Sequence, residues 1–211
     1  MNHFSSIHFI NLEHRKDRLD HIIQELESMC ADFDRVQRID ATYIKFFGIL
    51  GCGKSHIKSL ETFIQNGGTN PNDVCLILED DFTFCTSKEK TEEQLNHFFK
   101  TVGTNFDVLM LSCNILEKSG TEYSPSITRI LRGQTLSGYA VTRKYAPTLL
   151  ENFKAGVKML ETYGFSVHEY CIDIHIQKLQ PNDRWYFIEP RIGKQMESYS
   201  DIEQTVKSYH C

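Results

Sequence analysis

No run of apolar residues in the chain approaches the ~18 that cross a bilayer, and MNHFSSIHFINLEHRK at the N-terminus lacks the charged start and apolar stretch of a secretory leader. No transmembrane segment is expected, and the reading is a cytoplasmic chain or a soluble domain cut from a larger protein. Proline is scarce at 5 residues and glycine modest at 12, which leaves little room for a disordered linker or a collagen-like repeat. The seven cysteines (Cys30, Cys52, Cys75, Cys85, Cys113, Cys171 and Cys211) are scattered and never form C-x-x-C. Neither a disulfide framework nor a zinc ribbon is expected, and the thiols read as buried hydrophobes. Basic residues are also short: 23 Lys+Arg against 28 Asp+Glu gives a net charge of −5, so no excess exists to neutralise a nucleic acid backbone. What is present is 40% hydrophobic residues over 211 positions, enough for one domain with a substantial core.

Short apolar runs alternate with amphipathic stretches. Ile7 to Leu12 reads as a strand and Asp17 to Met29 as a helix, with Leu19, Ile22, Ile23, Leu26 and Met29 at helical spacing. Phe33 to Ile39 reads as a strand and Ser55 to Gln65 as a helix. Val74 to Leu78 is a continuous apolar run, as in a strand covered on both faces. A helix through Leu95, Phe98, Phe99 and Val102 and a strand from Asp107 to Ser112 follow. This βαβαβαβ order predicts an α/β fold with a mainly parallel sheet. Beyond it come strands at Ile127 to Leu131 and Leu136 to Thr142, helices at Tyr145 to Phe153 and Tyr170 to Leu179, and a strand at Trp185 to Ile188.

Two motifs carry chemistry. Gly48-Ile49-Leu50-Gly51-Cys52-Gly53-Lys54-Ser55 matches G-x-x-x-x-G-K-[ST] letter for letter. As a P-loop it would cradle phosphates, with Lys54 on the terminal phosphates and Ser55 on Mg²⁺. Against that reading, Tyr43 to Phe47 is a poor strand to precede such a loop. The second motif is Glu79-Asp80-Asp81 at the end of the apolar strand. Three carboxylates there are costly unless a cation or hydrogen bonds compensate them. Hard oxygen ligands suit Mg²⁺ or Mn²⁺ on a nucleotide diphosphate, and α/β sheets bind ligands beyond their strands' carboxyl ends. Strand alternation places Glu79 and Asp81 on one side and Asp80 on the other.

Taken in order, FINLEHRKDRL (Phe9 to Leu19), RIDAT (Arg38 to Thr42), GILGCGKSHIKSLE (Gly48 to Glu61), LILEDDF (Leu76 to Phe82), SGYAVTRKYAPTLL (Ser137 to Leu150), IDIHIQKL (Ile172 to Leu179) and PRIGKQMESYSDI (Pro190 to Ile202) resemble the successive motifs of glycosyltransferase family 25. That family holds lipopolysaccharide-type transferases and collagen galactosyltransferases. Lys54 departs from its pattern, which usually has a small or apolar residue there. The resemblance implies a single GT-A domain over residues 1–211, Rossmann-like, that inverts the anomeric carbon. It implies Mn²⁺ or Mg²⁺, a UDP-sugar carrying galactose or glucose, and as acceptor a hydroxyl of a glycan or of hydroxylysine in a collagen-like protein.

The implied roles follow. Glu79 and Asp81 hold the metal, and His175 could complete its shell, although Asp173 and His175, two apart on a helix, would not share one ion. Asp80 touches ribose or donor sugar. Asn11, Leu12 and Arg15 at the first strand's end, with Asp40 and Ala41 at the second's, line the nucleotide pocket. Ser55 and His56 at a helix N-terminus face an anion, and Gln195, Ser198 and Asp201 bind donor or acceptor. Asp173 is the candidate general base, with Glu169 second, four residues earlier on the same helix face. A P-loop phosphotransferase using Lys54 and Ser55, and a catalytically silent domain that binds sugar nucleotide, remain the alternatives.

Overall fold

Five consecutive apolar residues, Val74 to Leu78, can be buried only if both faces of their strand are covered, and this requirement organises the chain. The computed structural model describes residues 1–66, 68–120, 122–164, 168–196, 198–200 and 205–207. Along it run β1 (Ser6–Asn11), α1 (Lys16–Ser28), β2 (Val36–Asp40), α2 (Gly48–Asn66), β3 (Val74–Glu79), β4 (Phe82–Phe84), α3 (Lys88–Val102), β5 (Val108–Met110), β6 (Asn114–Lys118), β7 (Ile127–Gln134), β8 (Gly138–Thr142), α4 (Ala146–Tyr163), α5 (Ile172–His175), β9 (Trp185–Ile188), β10 (Gly193–Gln195), β11 (Ser198–Ser200) and β12 (Thr205–Lys207). Eight of these strands form one sheet in the order β2-β1-β3-β8-β5-β9-β7-β6. Only β8 and β7 run against the others in it. The sheet is therefore mainly parallel in strand direction, as expected, while its pairings are mixed.

The side chains of β3 alternate between two cores. Cys75 and Ile77 pack with Leu60 and Phe63 of α2, Leu149 and Phe153 of α4 and Ile172 of α5. Leu76 and Leu78 pack with Ile22 and Leu26 of α1 and Leu95 and Phe98 of α3. Each such side chain, taken fully out of water, contributes on the order of 1.5–3 kcal/mol, so the two helical layers hold β3 and its acidic end in a fixed place.

Local differences from the expected elements have physical causes. The stretch Tyr170 to Leu179 is not one helix: Cys171 is extended (φ −58°, ψ 133°), and 3₁₀ turns at His168–Tyr170 and Ile176–Lys178 flank the four-residue α5. The carbonyl of Tyr170 is pressed against α4 at Gly156, where a Cβ would come within 2.9 Å of it. Phe33–Arg35 is a 3₁₀ turn, and the second strand starts at Val36. α2 begins at Gly48, two turns earlier than the hydrophobic periodicity marks.

Phe82 sets the exit of the acidic turn. Its fully buried ring lies against Gly138 of β8 and Gly193 of β10, and a Cβ on either glycine would collide with it. The space fits an aromatic ring only because both neighbours lack a side chain. Gly193→Ala is expected to cost about 1–3 kcal/mol, and Phe82→Leu in the same chain to recover at least ~0.5 kcal/mol of it. Urea unfolding of the two single variants and the double measures the coupling. Strict additivity would show that Phe82 is not what excludes the side chain.

Candidate active site at the carboxyl ends of the parallel strands

Parallel pairing of β2, β1 and β3 brings Asp40, Asn11 and Glu79 to one end of the sheet. The strand geometry stops at Glu79. Asp80 and Asp81 form the turn into β4, so the period-2 alternation expected across the triplet does not continue. Glu79 stands apart on the α2 side, and Asp80 and Asp81 turn together toward α1. Asp80 accepts from Asn11 Nδ2 at 2.7 Å and from Arg18 Nη1 at 3.0 Å. The same Arg18 nitrogen is 2.9 Å from Asp81 Oδ2, which also accepts from Gln195 Nε2 at 3.0 Å. The register of β4 with β10 places Gln195 there, and the Asp81 carbonyl accepts from Met196 N at 2.7 Å. The second oxygen of Asp81, Oδ1, is buried without a hydrogen-bond partner among the described residues.

On the other side, Glu79 Oε1 accepts from His56 Nε2 at 3.0 Å and from Cys52 Sγ at 3.5 Å. The opposite ring nitrogen of His56, Nδ1, is 3.0 Å from Tyr139 Oη. The Cys52, His56 and Glu79 donor atoms lie within 4.8 Å of one another, a grouping that could hold a metal ion. Cys52 and His56 are four apart on α2 and so share one face of it. Asp173, at the start of α5, is within electrostatic reach of the same group, since its charge and those of Glu79, Cys52 and His56 act on one another.

Burial governs the ionisation of these groups. It pushes the Asp81 carboxyl up to about 7, with the Glu79 charge adding to the effect and Arg18 opposing it. Burial also raises Asp80 and Asp173, the latter helped by Glu79. Glu79 is pushed up by burial as well, but its bonds from His56 and Cys52 outweigh this and hold it below the usual carboxylate value. The Cys52 thiol goes well up, through burial and the carboxylates of Glu79 and Asp173. A carboxyl raised in the folded state favours folding below its unfolded value near 4, and this contribution is lost as pH rises through about 7. Asp81→Asn, which has no charge to bury, is therefore expected to gain in melting temperature over the parent between pH 5 and pH 8. A difference that stays flat with pH would mean that Arg18 keeps Asp81 ionised throughout.

Asn11 is buried at the centre, also accepting from Arg38 Nε at 3.2 Å, and Leu12 follows it at the end of β1. Arg15 at the start of α1 forms an ion pair with Asp17 at 2.8 Å, and Asp40 is exposed and paired with Arg38 at 3.1 Å. Ala41 donates its N–H to the Asn11 carbonyl at 3.1 Å. Ser55 and His56 are not at a helix N-terminus. They lie on the third turn of α2, and Ser55 Oγ accepts from Thr42 N at 2.8 Å while donating to the Gly51 carbonyl at 2.7 Å. Gly48 to Ser55 is helix throughout, so it forms no phosphate-cradling loop, and Lys54 pairs with Glu161 at 2.6 Å. Gly51 and Gly53 serve packing: a Cβ at Gly51 would collide with the Thr42 carbonyl, and one at Gly53 would stand 2.7 Å from Val157 of α4.

Glu169 and His175 are not brought to the carboxylates. Glu169 is exposed in a 3₁₀ turn rather than on a helix face shared with Asp173, because Cys171 breaks the helix between them. His175 is buried against Gly156, with Nδ1 3.4 Å from the Glu169 carbonyl and 3.5 Å from Lys178 Nζ. Burial and the Lys178 charge lower its pKa, as for a neutral packing histidine. Asp201 lies outside the described residues, as does the side chain of Ser198. Sequence reasoning missed Arg18, the second arginine of FINLEHRKDRL, which stands one helical turn from Arg15. It also missed Cys52, although the C-x-x-x-H spacing to His56 was there to read.

No protein-family model matches the chain, and no curated sequence matches it. Among solved structures it is similar to a glycosyltransferase involved in glycosylation of the major capsid of PBCV-1, with TM-score 0.50 and 9% identity over 94% of this chain and 96% of that one. It is also similar to A197 from STIV, with TM-score 0.49 and 10% identity over 97% and 95%. A third is the mannose-1-phosphate geranyltransferase of Thermus thermophilus, with TM-score 0.48 and 10% identity over 90% and 75%. The first of these likenesses is one of fold: the chain has the mixed α/β architecture of GT-A glycosyltransferases.

Proposed function

We propose that the chain is a divalent-cation-dependent, inverting glycosyltransferase of the family 25 kind, acting as one GT-A domain. It transfers galactose or glucose from a UDP-sugar to a hydroxyl of a glycan or of hydroxylysine in a collagen-like protein. The observation that carries this reading is Asp81. Its carboxylate is buried at the carboxyl end of parallel strands, beside Glu79, with one oxygen left without a hydrogen bond among the described residues. Such a carboxylate fits a hard cation brought in with a diphosphate, which would offset both charges at once. A bound cation would supply Lewis-acid stabilisation of the departing nucleoside diphosphate.

The protein's own groups divide the remaining work. Asp80, fixed by Asn11 and Arg18, presents acceptor oxygens to ribose or donor sugar. Arg18 holds positive charge beside the position of the diphosphate. Asp173 is the general base of this reading. Burial and the neighbouring Glu79 raise its pKa, and a carboxylate so raised takes a hydroxyl proton more readily at neutral pH.

A thermal-shift screen of UDP-, GDP- and CMP-sugars with and without Mn²⁺ is expected to show protection by a UDP-sugar that depends on the ion. Donor protection without turnover would favour a silent sugar-nucleotide-binding domain. Protection with no need for the ion would remove the cation from the reading.

For the chemical step, Asp173→Asn is expected to leave donor affinity nearly unchanged and to lower kcat by roughly 10² or more. Single-turnover kinetics with donor affinity measured alongside separates the two effects. Equal loss of both would move Asp173 from base to binding group.

A further inference from the structure

We propose that Cys52, His56 and Glu79 form a transition-metal site on the α2 side of the sheet, separate from the cation that accompanies the donor at Asp81. The three residues differ in chemistry from the rest of the acidic end. They offer one sulfur, one imidazole nitrogen and one carboxylate oxygen within 4.8 Å of one another. A thiolate and an imidazole select zinc-like ions, Zn²⁺ or Co²⁺, over Mg²⁺ or Ca²⁺. The site is also built from behind: Tyr139, fully buried on β8, sits 3.0 Å from His56 Nδ1 and fixes the ring so that Nε2 points at Glu79. An outer partner on the far nitrogen is the usual support of a metal-bound histidine.

Binding balances in charge and protons. The Cys52 S–H bond breaks, its proton passes to solvent, and the sulfur lone pair goes to the ion. His56 moves its ring proton from Nε2 to Nδ1, where it donates to Tyr139 Oη, whose own hydrogen rotates away from the ring, and Nε2 becomes the second ligand. Glu79 exchanges its bonds from these two donors for one to the ion. One thiolate and one carboxylate then neutralise the dication, which lowers the cost of keeping it out of water. Three protein ligands leave a fourth position of a tetrahedral site open.

The test uses the full chain, reduced, stripped of metal and free of nucleotide, titrated with Co²⁺. One equivalent is expected to give a thiolate-to-cobalt charge-transfer band and the visible intensity of four-coordinate cobalt, both abolished by stoichiometric Zn²⁺. Cys52→Ser is expected to lose the band and Asp81→Asn to keep it. Tyr139→Phe is expected to keep it with affinity lowered about 10- to 100-fold. X-ray absorption of the zinc-loaded parent, which depends on no variant folding, is expected to show one sulfur near ~2.3 Å with nitrogen and oxygen at ~2.0–2.2 Å. No thiolate band in the parent, a band that survives Cys52→Ser, or a zinc shell without sulfur would each overturn the site. None of these readouts involves sugar transfer, so the site and the proposed reaction fail independently.

Discussion

The structure depends on keeping three consecutive carboxylates at the tip of a strand buried on both faces. An unpaired buried charge is among the most costly features a fold can carry, and here three follow one another without a spacer. Both layers of the molecule contribute compensation. From the α1 side, Arg18 is within 3.0 Å of both Asp80 and Asp81, and Asn11 adds a bond to Asp80. From the α2 side, His56 and Cys52 approach Glu79. The sheet thus separates two differently balanced charges: Glu79 is held ionised by its donors, while Asp81 is pushed toward its neutral form by burial and by Glu79. Phe82, Gly138 and Gly193 belong to the same requirement, because the β4–β10 pairing they permit delivers Gln195 to Asp81.

α2 shows how one sequence pattern serves another purpose. Two glycines in the stretch that imitates a phosphate loop, Gly51 and Gly53, are needed because α2 runs against the Thr42 carbonyl on one side and Val157 of α4 on the other. Ser55 closes the first of these contacts by accepting from Thr42 N. With the helix seated this deeply, residues 52 and 56, one turn apart, reach the end of β3. Close packing at Gly51 and Gly53 and the placing of a thiol and an imidazole on Glu79 are therefore two results of one approach.

Much of this was legible in the sequence where the signal is local. Trp185–Ile188 forms a strand over the residues its apolar run marks, and the run into Glu79-Asp80-Asp81 does make a buried strand with an acidic end. The fold class was legible in the order of alternating strands and helices. Non-local features were not legible. Nothing in Ile127–Gln134 or Gly138–Thr142 states that they oppose their neighbours, because direction is set by which strands they pair with. The apparent helix from Tyr170 to Leu179 has adequate periodicity but is broken by the close approach of α4 at Gly156, a constraint from a distant part of the chain. At the site, the carboxylates could be read and their counter-charges could not. An arginine on a helix has no sequence mark that separates a surface charge from one reaching 62 positions onward to Asp80. A search for paired cysteines also passes over a cysteine whose partners are a histidine and a strand-end glutamate.

The electrostatics of the site bear directly on how the proposed anionic donor would enter it. With Glu79, Asp80, Asp81 and Asp173 ionised against Arg18, the formal charge is −4 + 1 = −3, and a doubly anionic diphosphate would be repelled at the short range where little water screens it. Partial protonation of Asp81, whose pKa is about 7, removes at most one of those charges. One dication at Asp81 would bring the sum to −1, still unfavourable for the proposed donor. A second at the proposed site of Cys52, His56 and Glu79 would add +2 and, through the thiolate it creates, −1, so the sum would become zero before a diphosphate arrives. On the proposed reading the acidic end of the sheet is in this sense a site for cations first. Its capacity for the proposed nucleotide diphosphate would follow from how many cations the two sides of β3 hold.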